Sequence, residues 1–192
     1  MANPDTPFGL TPRKYVSGAP YNGAVNIYSV AAGNGTAIFV GDLVTIVGTS
    51  QTIDGVIYAD VAQSATGDVF QGAVVAVLPS TADSLIYRAA STQRLLAVAD
   101  DPNLVFEIQE VSGGTALTAN DMQLNADIIV GAGSTTTGQS GMELNNGTEA
   151  TTNTLDVKIV GFVNAPDNVI GEHAKWLVRL NRHRYVNQIA GV

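Results

Sequence analysis

Four carboxylates fall within eleven positions of the stretch LAVADDPNLVFEIQE: Asp100, Asp101, Glu107 and Glu110. Carboxylates packed this closely can share a metal ion or divide the roles of general acid and general base. The spacing argues against both. In a strand, residues three apart point to opposite faces, so Glu107 and Glu110 diverge. Asp100 and Asp101 precede Pro102 and Asn103, a turn composition in which short polar side chains bond nearby backbone amides. A calcium loop needs oxygen ligands at alternate positions around a tight glycine turn, and the chain has no Asp-x-Asp-x-Asp-Gly run. The two histidines, His173 and His183, stand ten residues apart and outside any zinc-binding frame. GAGSTTTG has the small residues of a phosphate loop but lacks the lysine, and no G-x-S-x-G elbow marks a nucleophile. The expectation is a protein that is not an enzyme, with no catalytic residues, no metal and no cofactor.

The elements around these residues read as β throughout. Short apolar runs are separated by turn signals at the spacing of a sandwich or barrel. AIFVGDLVTIV (37–47) is interrupted at Gly41 and Asp42, and Asp54-Gly55 is the strongest hairpin signal, leading into VIYADVA (56–62). There Val56, Tyr58 and Asp60 alternate with Ile57, Ala59 and Val61, giving one mixed and one apolar face. VFQGAVVAVL (69–78) is almost continuously apolar, as expected for the centre of the core. LAVADDPNLVFEIQE itself predicts a hairpin about the Asp-Asp-Pro-Asn turn, with Leu104, Phe106 and Ile108 inward and Val105, Glu107 and Gln109 outward. Thr118 with Asp121 could cap a single helical turn. Residues 131–154 are rich in Gly, Ser, Thr and Asn and predict polar loops or a hairpin. The segment 174–185, with Trp176, Val178 and Leu180 among basic positions, reads as a strand, with a helix as the second choice.

Four of the seven prolines lie among the first twenty residues, and each fixes its own φ and extends its predecessor. Residues 1–24 therefore predict an extended N-terminal arm anchored by Phe8, Leu10, Tyr15 and Tyr21, ahead of a single β domain over 25–192. The chain is long enough to bury about 70% of its extended surface. Its lack of cysteine excludes a disulfide framework. No apolar leader or run of membrane-spanning length occurs, so neither export by a signal peptide nor a membrane role is expected. The formal charge of -8 argues against nucleic acid as a partner, although Lys175, Arg179, Arg182 and Arg184 cluster near the end.

The segments MANPDTPFGLTPRKYVSGAPYNGAVNIYSV, FVGDLVTIVG, LAVADDPNLVFEIQE, LNADIIVGAGSTTTGQSGMEL and DNVIGEHAKWLVRLNRHRY together resemble a family of tailed-bacteriophage virion structural proteins associated with head decoration, the capsid cement proteins. The run from VGDLVTIV through GVIYADVAQSATGDVFQGAVVAVLP is similar in pattern to small β-tulip decoration proteins. The resemblance implies a mainly β fold, a β-barrel or β-sandwich with a β-tulip-like pattern and few or short helices. It implies a virion location on the outer surface of the phage head, with the major capsid protein as partner. It further implies a homo-oligomer, a homotrimer ahead of a dimer. Residues 1–24 would then reach to the coat protein or to an adjacent copy, and their deletion would abolish binding to heads. Pro4, Pro7, Phe8, Leu10, Tyr15, Tyr21, Glu107, Gln109, Trp176 and Arg179 are the expected subunit or capsid contacts. The alternative is a tail or other virion protein with a glycan-binding or adhesion role.

Overall fold

A computed structural model describes residues 3–188 and residue 191. It is mainly β. The strands, in chain order, are β1 (Thr11–Tyr15), β2 (Asn26–Val30), β3 (Leu43–Ile53), β4 (Val56–Gln63), β5 (Gly72–Val77), β6 (Arg94–Ala99), β7 (Leu104–Gln109), β8 (Asn125–Ala126), β9 (Ile128–Ile129), β10 (Glu143–Leu144), β11 (Val157–Phe162) and β12 (Lys175–Leu180). The only helix among the described residues is one 3₁₀ turn, Ala119–Asp121, closed by the Thr118–Asp121 capping box.

β2 to β6 form a closed barrel in the order β2-β4-β3-β5-β6, with an interior of Val30, Ile38, Val44, Val61, Val74, Leu96 and Val98. A second, antiparallel sheet runs β1-β7-β12-β11-β8, and β9 pairs with β10 beside it. The barrel is thus contiguous in sequence and sits between two strands, β1 and β7, that are neighbours in the other sheet. Leu43, Phe70, Ala73 and Ala99 come from the barrel segment but pack into the core of the second sheet with Leu10, Phe106, Ile108 and Trp176. The two layers therefore share a seam.

Asp54 and Gly55 both adopt positive φ (51° and 82°) between paired Ile53 and Val56, the two-residue hairpin turn expected of Asp-Gly. Farther down the same hairpin the register shifts between Ile46 and Ser50, with Gly48 at φ 78°. This bulge re-aims β4, so the expected facing of VIYADVA fails at Asp60, which is buried while Ile57 is 73% exposed.

LAVADDPNLVFEIQE does bend at its Asp-Asp-Pro-Asn turn, where Asp101 Oδ1 accepts from the Asn103 amide at 2.7 Å, but it is not a hairpin. β6 pairs with β2 and β5 in the barrel, whereas β7 pairs with β1 and β12. The turn passes the chain from one layer to the other. Local alternation reports strands but carries no information about their partners. The expected outward side of β7 is also corrected: all six of its residues are buried.

The reason is the N-terminal segment. The predicted arm over residues 1–24 is tied to the body in part: β1 is the edge strand of the second sheet and Leu10 is core, while residues 16–20 and 22–24 are exposed. Phe8-Gly9 crosses the barrel against Gly41 so closely that a Cβ on Gly41 would lie 2.2 Å from the Phe8 carbonyl oxygen. VFQGAVVAVL supplies Phe70, Ala73 and Val74 to the interior, while Val75 to Leu78 are half-buried.

Candidate functional site

The four acids of the opening cluster go to four separate settings. Asp101 holds its turn. Glu107 accepts from Arg13 Nε at 2.7 Å. Glu110 is fully buried at the start of the chain that crosses to the 111–117 loop. Its Oε2 accepts from the Trp176 indole at 2.5 Å, and its Oε1 from the Leu117 amide at 3.2 Å and the Asn146 amide group at 3.4 Å. Burial pushes the Glu110 carboxyl above the usual carboxylate range, against the opposing pull of the Trp176 bond.

Asp100 stays with the barrel. Asn26 Nδ2 reaches both of its oxygens at 2.9 and 3.0 Å, and the Tyr28 hydroxyl donates to Oδ2 at 2.6 Å. Gln71 Nε2 in turn donates to the Tyr28 oxygen at 2.9 Å. Burial, reinforced by the Asp100 carboxylate, pushes the Tyr28 phenol well above its ordinary value. These groups open onto a cleft of about 370 Å³ lined by Asn26, Tyr28, Asp100, Asp101, Pro102 and the 63% exposed Tyr185. Behind it, His183 approaches the Asp100 carbonyl at 3.1 Å, and burial lowers its imidazole pKa.

A third grouping brings together residues that no sequence spacing connects. Asp5, Glu143 and His173 present one carboxylate oxygen, one carboxylate oxygen and one imidazole nitrogen, all within 4.8 Å of one another. Each is held by a different part of the fold. Asp5 lies between Pro4, whose carbonyl accepts from Gln109 Nε2 at 2.7 Å, and Thr6, whose amide donates to Gln109 Oε1 at 3.1 Å. The same Nε2 donates to the His173 carbonyl at 3.0 Å, so one buried glutamine sets Asp5 and His173 side by side. Asn3 fastens the segment from the other end, donating to the Val169 and Glu172 carbonyls, both at 2.8 Å. Glu143 arrives on β10. His173 has φ 60°, a left-handed backbone that an L side chain seldom adopts.

Of the expected contact residues, Leu10 and Trp176 are interior, and Glu107 and Gln109 are buried against the N-terminal segment. Glu107 and Gln109 hold the chain's own N-terminal segment. Pro4 is exposed, and Pro7, Phe8, Tyr15, Tyr21 and Arg179 are half-buried. Two of the four basic residues of the C-terminal region cap carbonyls of the same chain, Arg179 that of Pro102 at 2.9 Å and Arg182 that of Thr154 at 2.7 Å, and Lys175 pairs with Asp167 at 3.4 Å. The most exposed of the large apolar side chains is elsewhere, on the β3–β4 hairpin, where Ile57, Val56 and Val47 are 73, 50 and 47% exposed. No helix among the described residues is long and apolar enough to cross a membrane. No family model, no curated protein and no solved structure matches the chain.

Proposed function

We propose that this protein is a decoration, or cement, protein that binds the outer surface of a tailed-phage head and ties together neighbouring copies of the major capsid protein. The observation that supports the reading is the distal half of the β3–β4 hairpin. From Val47 to Tyr58 the hairpin leaves the barrel wall, most of its residues are exposed, and Val47, Val56 and Ile57 present their side chains to solvent. A two-stranded ribbon is marginal alone in water, and apolar side chains exposed along it gain by docking against a partner. A stable contact needs about 800 Å² per partner. The hairpin would supply the centre of such a patch in each copy of a homotrimer, with the coat protein beneath it.

On this reading the hairpin carries the contact rather than residues 1–24, whose strand β1 is already paired in the chain's own sheet. The test is co-sedimentation of purified protein with undecorated heads, comparing the natural chain with Ile57→Asp. Unchanged folding with lost head binding is expected. Full binding by Ile57→Asp would overturn the hairpin contact, and no binding by the natural chain would overturn the decoration role.

The Asp100 cleft favours a second reading, a tail or adhesion protein that holds a glycan. Exposed Tyr185 offers a ring face and Asn26 and Asp100 offer polar groups for sugar hydroxyls. Glycan-array binding that Tyr185→Ala removes would support it over head decoration.

A further inference from the structure

We infer that Asp5, Glu143 and His173 form a binding site for a divalent first-row transition ion, which staples the N-terminal segment to β10 and to the loop before β12. The ligand set is one imidazole nitrogen and two carboxylates, a mixture that suits zinc and its neighbours better than magnesium or calcium.

Two of the three residues support this independently of their proximity. Glu143 Oε1 and His173 Nδ1 are both shut off from solvent, and neither has a hydrogen-bond partner. A buried polar atom left unbonded costs about 1–3 kcal/mol, so one such atom on each of two clustered residues calls for a group that satisfies both. The Asp5 carboxylate already stands 3.6 Å from His173 Nδ1. An ion bonded at about 2.1 Å to each ligand holds them at most about 4.2 Å apart. Asp5, whose side chain is 65% exposed, is free to adjust around an ion, while the His173 side chain, only 16% exposed, is held by its surroundings. Three protein ligands leave a position for water, so the ion would exchange with solvent.

Burial, with the Asp5 charge added to it, pushes the Glu143 carboxyl up. A cation between the two carboxylates would reverse that tension. The inference does not depend on what the protein binds with its hairpin.

The test uses the full chain, stripped with a chelator and titrated with zinc chloride in a calorimeter. One ion per chain is expected, with saturable binding that millimolar magnesium does not displace, and a rise of several degrees in the thermal midpoint at about 100-fold excess over Kd. Asp5→Asn should weaken binding at least tenfold. His173→Asn should abolish it, asparagine being chosen because it tolerates the left-handed backbone at this position. Should His173→Asn fail to fold, Asp5→Asn on its exposed segment decides the matter. Absence of saturable binding, or the same affinity in Asp5→Asn as in the natural chain, would overturn the site.

Discussion

The Trp176 indole donates to Glu110 Oε2 at 2.5 Å with both residues sealed from solvent, a carboxylate hydrogen bond at the centre of the second sheet. Trp176 also meets Phe162 edge to face with ring centroids 5.0 Å apart. Replacing Trp176 by Phe keeps much of the packing but strips the carboxylate of its shortest bond. We expect a loss of about 2–4 kcal/mol, combining a vacated volume with an under-bonded buried charge. Glu110→Gln in the same background should recover part of it, because the amide needs less compensation than the carboxylate. Chemical denaturation of the two single variants and the double variant measures this coupling, and strictly additive losses would deny it.

Gly41, at φ 95°, lets the chain pass under Phe8-Gly9, and its carbonyl accepts from the Leu10 amide at 2.9 Å. Gly41→Ala meets both a forbidden backbone region and the Phe8 carbonyl, so the crossing must move. The expected cost is about 2 kcal/mol or more, with protease sensitivity appearing first in residues 3–24. Deleting 1–24 should lower stability far more than the loss of a free arm would, because β1, Leu10 and the partners of Gln109 go with it. A truncated protein that melts at the natural temperature would show the segment to be dispensable.

Arg88 is fully buried without an acidic partner and instead gathers carbonyls: Thr36 at 2.5 Å, Thr92 at 2.8 Å and Ala31 at 2.9 Å. Its planar fork ties the 31–37 loop to the 88–93 turn at one end of the barrel. Lysine cannot reproduce three divergent bonds and is more costly to dehydrate. Arg88→Lys is expected to lose about 3 kcal/mol and to raise amide exchange in both loops; exchange rising throughout the barrel would place the effect elsewhere.

Some of this was legible in the sequence because its causes are local. Asp54-Gly55 dictates a two-residue turn whatever surrounds it, and Thr118 with Asp121 closes its turn within four residues. Strand pairing is not local: β6 and β7 are adjacent in sequence yet belong to different layers, and β1 finds β7 across the whole barrel. Asp60 departs from the side its own strand predicts because the bulge near Gly48 lies on the partner strand. Glu107 and Gln109 looked outward because nothing in β7 announces that residues 4–13 lie over it. Asp5, Glu143 and His173 carry no spacing motif, since each comes from a separate segment and only Gln109 and β10 bring them together.

Asp156 gives the pH dependence its sign. It is buried, accepts from the Gly67 and Ile128 amides at 3.0 and 3.2 Å, and burial carries its pKa from 3.8 up to about 6. A pKa raised on folding stabilises the protein fully below the unfolded value and loses that contribution as pH rises through the folded one. The window for Asp156 is therefore from about 4 to about 6, and at neutral pH the shift corresponds to roughly 3 kcal/mol. Asp42 and Glu110 are raised by burial in the same direction. His183 opposes them, since its lowered pKa favours the fold above 6.5 and that contribution is lost as pH falls through the folded value. Three acids outweigh one histidine, and approach to the isoelectric point near 4.4 also relieves the repulsion of a net charge of -8. The thermal midpoint should rise by several degrees between pH 7.5 and pH 5.5. Calorimetric scans at constant ionic strength check it, and a midpoint that falls over that interval would mean that these buried carboxyls are better stabilised as anions than their surroundings allow.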